Sequence, residues 1–239
     1  MKFFFSERIV KTLNKDKIIF YVYEHPLFVR LAHWVTALSL VILTMSGLEI
    51  FSSFPSFGDK IPQTNLANIP NLFRLGGWLG GSLQWHFSFM WVFIATGVIY
   101  LFLGFLTGYW KKVFFSPKDI KSLLPMIKHY FLFKPKPEQT QAYNALQKLA
   151  YTTVIALGII SVVTGILLYK PVQLNPIVYL FGGFGLVRLW HFIAMCGFLL
   201  FIVGHLVMIV LHGWSNFVSI IVGWKQNPNY IKSQSGVKK

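Results

Sequence analysis

The chain has 239 residues, of which 55% are hydrophobic, 18% aromatic and only 12% charged, a balance that excludes an ordinary soluble domain and puts most of the chain in lipid. A net charge of +15 would suit a nucleic-acid binder, but the basic residues gather in the termini and one connection between apolar runs, which argues against that class. The single cysteine excludes an internal disulfide, a C-x-x-C-H attachment motif and a cysteine-ligated iron–sulfur cluster.

Crossing a hydrocarbon core of about 30 Å takes roughly 20 helical residues, and four stretches qualify: 30–51, 85–106, 149–169 and 189–211. Backbone groups in lipid must pair within their own segment, so each is expected as a helix. The expected fold class is therefore an all-α integral membrane protein, a bundle of four transmembrane helices. Residues 1–222 would form one membrane domain and 223–239 a tail, with no room for a second domain of ordinary size.

Before the first span, residues 1–30 carry six Lys and Arg, and the apolar run Met1 to Phe5 is too short for a signal-peptide core, so the first span is expected to serve as an uncleaved signal. That span holds His33 three residues past Arg30, and Gly47 fourteen residues further on. The 52–84 connection has two basic residues, with Asp59, Lys60 and Arg74 among Pro, Gly and Asn, and ends in Gly76-Gly77-Trp78. Its chemistry suits a partner-docking surface or a plain loop. The second span begins Trp85-His86-Phe87 and contains Gly97.

The 107–148 connection carries eight basic residues and Pro117, Pro125, Pro135 and Pro137, which predict short broken helices or loop. It runs through Tyr143-Asn144-Ala145-Leu146-Gln147-Lys148 into the third span. The 170–188 connection again has two basic residues, and its Gly182-Gly183-Phe184 leads to Trp190-His191-Phe192, echoing the entry to the second span. The fourth span contains His191, Cys196 and His205, with His212 at its end, and four basic residues follow. Basic residues mark the cytoplasmic side of membrane proteins, and 18 of them fall on the termini and central connection against 4 on the other two. Both termini are therefore expected in the cytoplasm, with a bacterial cytoplasmic (inner) membrane as the expected location.

Ligating residues at membrane depth are expensive and mark function. His191 and His205, 14 residues apart, fall about 40° apart around a helix and ~21 Å apart along it. By span direction His33 matches the depth of His205, and His86 that of His191. Low-spin haem iron takes one imidazole on each axial face, and two facing helices can supply them. The arrangement predicts two non-covalent haem b groups, the inner one on His33 and His205 and the outer one on His86 and His191. Gly47 and Gly97 fall on the matching faces, where they serve either a haem edge or ordinary helix packing. His212, seven residues past His205, is the rival inner ligand, whereas His25 and His129 read as ordinary polar residues. Trp34, Trp85 and Trp190 read as interfacial anchors.

The segment Tyr23-Glu24-His25-Pro26 through Arg30-Leu31-Ala32-His33-Trp34 to Ser46-Gly47 resembles the first helix of the four-helix dihaem cytochrome b subunits. Cytochrome b561 and the membrane subunits of formate dehydrogenases, nickel-iron hydrogenases and thiosulfate reductases make up that family. The Tyr143-to-Lys148 segment resembles the entry to the third helix of formate dehydrogenase gamma subunits, and the fourth span, with histidines 14 apart, matches the same group. The resemblance spans roughly 20–222. It implies an electron relay between a periplasmic-side catalytic or iron–sulfur subunit and membrane quinone, with lipid as surroundings and no role for nucleic acid. It further implies a quinone site near the inner haem, to which Asn144, the surroundings of His205 and, more weakly, Gln147 correspond. An Asn at a helix start is also a common N-cap. Two alternatives stay open: a stand-alone cytochrome b561-type enzyme passing electrons between a small outer-face reactant such as superoxide and quinone, and a haem-free transporter or structural protein. Copurification of a large periplasmic partner separates the first from the relay, and a colourless preparation would favour the second.

Overall fold

Lipid permits no unpaired backbone, and each of the four apolar stretches closes its hydrogen bonds as one unbroken helix. In the computed structural model, which describes residues 9–14, 17–23, 25–58, 69–108, 110–132, 134–135, 137, 143–212 and 214–226, the helices in chain order are α1 (Leu27–Ser53), α2 (Leu79–Thr107), α3 (Trp110–Val113), α4 (Ile120–Leu132), α5 (Ala145–Tyr169), α6 (Asn175–Leu180), α7 (Phe184–His212) and α8 (Trp214–Val222). Helices α1, α2, α5 and α7 are long and apolar enough to cross a membrane. The four-span fold expected from the sequence is the fold observed. The Asp59 and Lys60 part of the first connection, the Met1 to Phe5 run and the tail beyond Gln226 lie outside the described residues.

The chain divides into two compact units, one made of residues 38–202 and the other of residues 1–37 with 203–239. In the first, the spans are packed opposite to a soluble core. Large apolar side chains such as Leu38, Val98, Phe102, Phe105 and Leu200 are exposed, whereas the fully buried positions include, beside Val187, the small polar residues Ser39, Ser46 and Ser82, with Thr164 close behind. Lipid is as apolar as leucine, so burying leucine gains little, and small hydroxyl residues let helix backbones approach.

All four spans begin earlier than their apolar runs, α1 at Leu27, α2 at Leu79, α5 at Ala145 and α7 at Phe184. Gly76 and Gly77 both take positive φ, at 114° and 71°, and Gly182 and Gly183 do the same at 88° and 91°. Each Gly-Gly pair makes a left-handed turn open to few other residues, and the helix starts directly after it, at Leu79 and Phe184. His86 and His191 therefore sit two turns inside their helices, not at the ends where the hydropathy boundaries put His86. α5 gains its first turn from Asn144, whose side chain accepts a hydrogen bond from the Gln147 N–H while the Gln147 side chain accepts from the Asn144 N–H.

Between α2 and α5 the basic connection is ordered by polar contacts. Ser116 N–H and Oγ–H both donate to Asp119 Oδ2 at 2.9 Å, and Lys148 Nζ meets Asp119 Oδ1 at 2.9 Å with both side chains buried. Phe115 N–H donates to Thr152 Oγ1 at 2.9 Å. α4 runs through Pro125, forgoing the bond that a missing N–H cannot give to Lys121. At the other end of the unit, Glu49, buried in α1, is matched by Arg74 at 3.3 Å, so this cation of the first connection turns inward.

The second unit contains an element the sequence reading did not anticipate. β1 (Ile9–Asn14), β2 (Lys17–Tyr23) and β3 (Trp224–Gln226) form an antiparallel sheet in that order, pairing Ile9 with Val22, Asn14 with Lys17, and Tyr23 with Trp224. β2 is rich in β-branched and aromatic residues, as a strand should be. Tyr23 meets Trp224 edge-on at 5.1 Å. Gly223, at φ 89°, ends α8 by donating to the Ser219 carbonyl, and accepts from the His25 N–H. Arg30 Nη1 and Trp34 Nε1 donate to the Ile221 and Ile220 carbonyls at 2.6 and 3.4 Å, tying the start of α1 to the negative end of α8.

Candidate cofactor site

In the 38–202 unit, α2 and α7 each present one imidazole. His86 and His191 face each other with ring centroids 6.2 Å apart and planes at 67°. Neither ring is held by its own helix alone. His86 Nδ1 lies 3.0 Å from Ser46 Oγ on α1, and His191 Nδ1 lies 2.9 Å from Thr164 Oγ1 on α5. Each hydroxyl residue is followed by a glycine against the same ring. A Cβ at Gly47 would stand 3.4 Å from His86 Cε1, and one at Gly165 would stand 3.2 Å from His191 Cε1. All four spans thus contribute to one arrangement, in which two imidazoles are each gripped by a hydroxyl-glycine pair.

The other unit repeats the pairing. His33 and His205 have centroids 6.3 Å apart and planes at 50°, and Trp34 lies edge-on to His33 at 5.2 Å. His33 Nδ1 is buried with no hydrogen-bond partner among the described residues. The side chain of His212, the rival to His205, lies outside the described side chains.

The separations carry chemical content. Two imidazoles that share one metal ion at about 2 Å, with ring centres ~1.2 Å behind the ligating nitrogens, have centroids about 6.4 Å apart. The observed 6.2 and 6.3 Å fit that, and exceed the separation of directly hydrogen-bonded or stacked rings. Among the described residues, no group of three or more His, Cys, Asp or Glu converges that could hold a metal ion. A structural zinc site needs four protein ligands. Two opposed imidazoles alone suit an iron whose four equatorial ligands come from a porphyrin. The His86–His191 and His33–His205 pairs each have the spacing of two imidazoles on one metal ion.

The remaining candidates fare differently. Gly47 lies against His86, whereas a Cβ at Gly97 would meet nothing within 4 Å. Asn144 Oδ1 accepts from Gln147 N–H at 2.8 Å, Gln147 Oε1 accepts from Asn144 N–H at 3.0 Å, and Asn144 Nδ2 faces the Tyr130 hydroxyl at 3.5 Å. With Lys148 on Asp119, the Tyr143-to-Lys148 motif builds the start of α5. Ser46, Thr164 and Gly165 carry no role in the sequence reading. The signal that could have found them is a second echo between hairpins, Ser46-Gly47 before His86 and Thr164-Gly165 before His191.

Comparison with known proteins agrees with this chemistry. The family model described as prokaryotic cytochrome b561 matches residues 24–223. A protein of Azospira oryzae named as a protein-methionine-sulfoxide reductase subunit, YedZ1, is 37% identical over 188 residues, covering 78% of this chain and 90% of its own length. Two proteins named as Ni/Fe-hydrogenase B-type cytochrome subunits are also similar. That of Rhodobacter capsulatus is 30% identical over 62% of this chain and 54% of its own length. That of Azotobacter vinelandii is 27% identical over 86% of this chain and 88% of its own.

Proposed function

The chain belongs to the prokaryotic cytochrome b561 family, membrane b-type cytochromes of electron transfer, and from that premise we propose that it is the dihaem membrane subunit of a redox complex, relaying electrons between a periplasmic-side partner and quinone. The observation that carries the dihaem reading is the recurrence of one separation, 6.2 Å for His86 with His191 and 6.3 Å for His33 with His205. Bound there, haem b supplies reversible one-electron exchange without proton transfer at the ligands. The chain's own part is to present two neutral imidazoles per site, to fix their orientation and to exclude water with lipid-facing apolar helices.

The relatives' names support a subunit role, since they describe subunits of hydrogenase or reductase complexes. The partner of this chain would then be a catalytic or iron–sulfur protein of one of these kinds. The bias of basic residues supports cytoplasmic termini in a bacterial cytoplasmic membrane, which leaves the His86–His191 pair to the partner and the His33–His205 pair to quinone. Asn144 and Gln147 shape the start of α5, and the quinone role that the family resemblance implies for them is part of this proposal.

The test is a dithionite-reduced minus oxidised spectrum of the purified protein, with haem per chain measured as the pyridine haemochrome. Two haem b per chain is expected. One per chain would refute the dihaem reading, and none in protein made with ample haem would refute any haem role. Affinity purification from the native membrane should bring a larger redox subunit; a coloured protein purified alone, yet active with a small oxidant, would overturn the subunit reading.

A further inference from the structure

We propose that Ser46 and Thr164 are paired positioning residues that lock His86 and His191 in the Nδ1–H tautomer and so direct both Nε2 lone pairs at the metal and tune its potential. The inference rests on the proposed reading of these two histidines as haem ligands.

A hydroxyl has one proton to give. Ser46 Oγ lies 2.6 Å from the carbonyl oxygen of Ile42, and Thr164 Oγ1 lies 2.6 Å from that of Ile160. A carbonyl can only accept, so both protons are committed there. At the second contact, 3.0 Å to His86 Nδ1 and 2.9 Å to His191 Nδ1, the hydroxyl oxygen must be the acceptor and the nitrogen the donor. Nε2 is then the unprotonated nitrogen, the one able to ligate iron.

Serine or threonine bonding back to the carbonyl four residues earlier is common in helices and alone implies nothing. Here the same double contact recurs in both hairpins and the next residue is each time glycine, with Gly47 and Gly165 against Cε1 of the ring. Each imidazole is held at Nδ1 by a hydroxyl and at Cε1 by a bare stretch of helix backbone. At the other pair, His33 Nδ1 is buried and has no hydrogen-bond partner among the described residues.

A hydrogen bond donated by Nδ1–H raises the basicity of the ligating nitrogen and favours ferric over ferrous iron. Thr164→Val keeps the shape and loses the acceptor, and Thr164→Ser keeps the acceptor. Redox titration of the purified protein, resolving both haems, should show Thr164→Val shifting the ferric–ferrous equilibrium of the His86–His191 haem about threefold toward ferrous, about 30 mV upward at ~59 mV per tenfold for one electron. Ser46→Ala should act in the same direction, Thr164→Ser should match wild type, and the other haem should stay put in all three. A Thr164→Val potential equal to wild type, or an equal shift in Thr164→Ser, overturns the proposal. Should Thr164→Val lose the haem, retention in Thr164→Ser supports the hydroxyl role and loss in both overturns it. Failure of the underlying ligand reading shows separately, as a wild-type protein with no haem that His191→Ala removes.

Discussion

Asn144→Ala separates a capping role from a quinone role at the start of α5. Asn144 gives the helix one side-chain bond, Oδ1 accepting from Gln147 N–H at 2.8 Å, and touches the Tyr130 hydroxyl only at the 3.5 Å limit. The return bond, from Asn144 N–H to Gln147 Oε1 at 3.0 Å, uses backbone and survives the substitution. The loss is therefore one N-cap bond, about 1 kcal/mol, with little added by Tyr130. For a chain of this size that lowers Tm by roughly 2–4 °C. Asn144→Ser retains a capping oxygen and should stay within a few tenths of a kcal/mol of wild type. The assay is thermal unfolding in detergent followed by haem absorbance, beside the rate of haem reduction by a quinol. Ala should lower Tm with quinol-driven reduction intact in the folded fraction, and Ser should restore both. An unchanged Tm in Ala would refute the capping argument, whereas a Ser variant with restored Tm and a tenfold slower quinol reaction would show that the amide itself meets the quinone.

Three further predictions concern the paired residues. Alanine at His33 or His205 should remove one and the same haem and alanine at His86 or His191 the other, as seen in haem content and spectrum; a His33→Ala with His86→Ala double variant that keeps one full haem would refute the pairing. Lys148→Met strands the buried Asp119 carboxylate and should cost about 3–5 kcal/mol, much of it recovered by adding Asp119→Leu, as a double-mutant cycle would measure. In the intact protein burial pushes the Asp119 pKa up, but the hydrogen bond from Lys148, the two from Ser116 and the Lys148 charge outweigh it and hold it below the ordinary value. The native state then binds fewer protons than the unfolded one, so this contribution is complete above about pH 4 and is lost on further acidification; in Lys148→Met acidification should instead stabilise, and a chemical-denaturation series across pH reads the sign. Gly165→Val places its first carbon 3.2 Å from His191 Cε1, well inside ordinary carbon contact of about 3.5–4.0 Å, and should cut occupancy of the His86–His191 haem more than Gly47→Ala, whose 3.4 Å needs almost no movement.

Much of this protein is written in short-range pattern. Lipid leaves the backbone one solution per apolar stretch, so hydropathy alone gives four helices, and helical periodicity puts His191 and His205 on one face of α7 for His86 and His33 to meet. Hydropathy could not place the helix starts, because Gly76-Gly77, Gly182-Gly183 and the Asn144 cap act through backbone angles and hydrogen bonds, not polarity. Nor could it show the sheet, in which β2 pairs with β3 across some two hundred residues. The hydroxyl–imidazole contacts and the Lys148–Asp119 pair were equally out of reach. Ser46 and Thr164 look like ordinary packing residues until α1 meets α2 and α5 meets α7, since which nitrogen of a histidine carries the proton depends on the partner across the gap. Local pattern determines what each segment must be; partners far apart in the chain meet only when the helices pack, and that decided the orientation of the imidazoles.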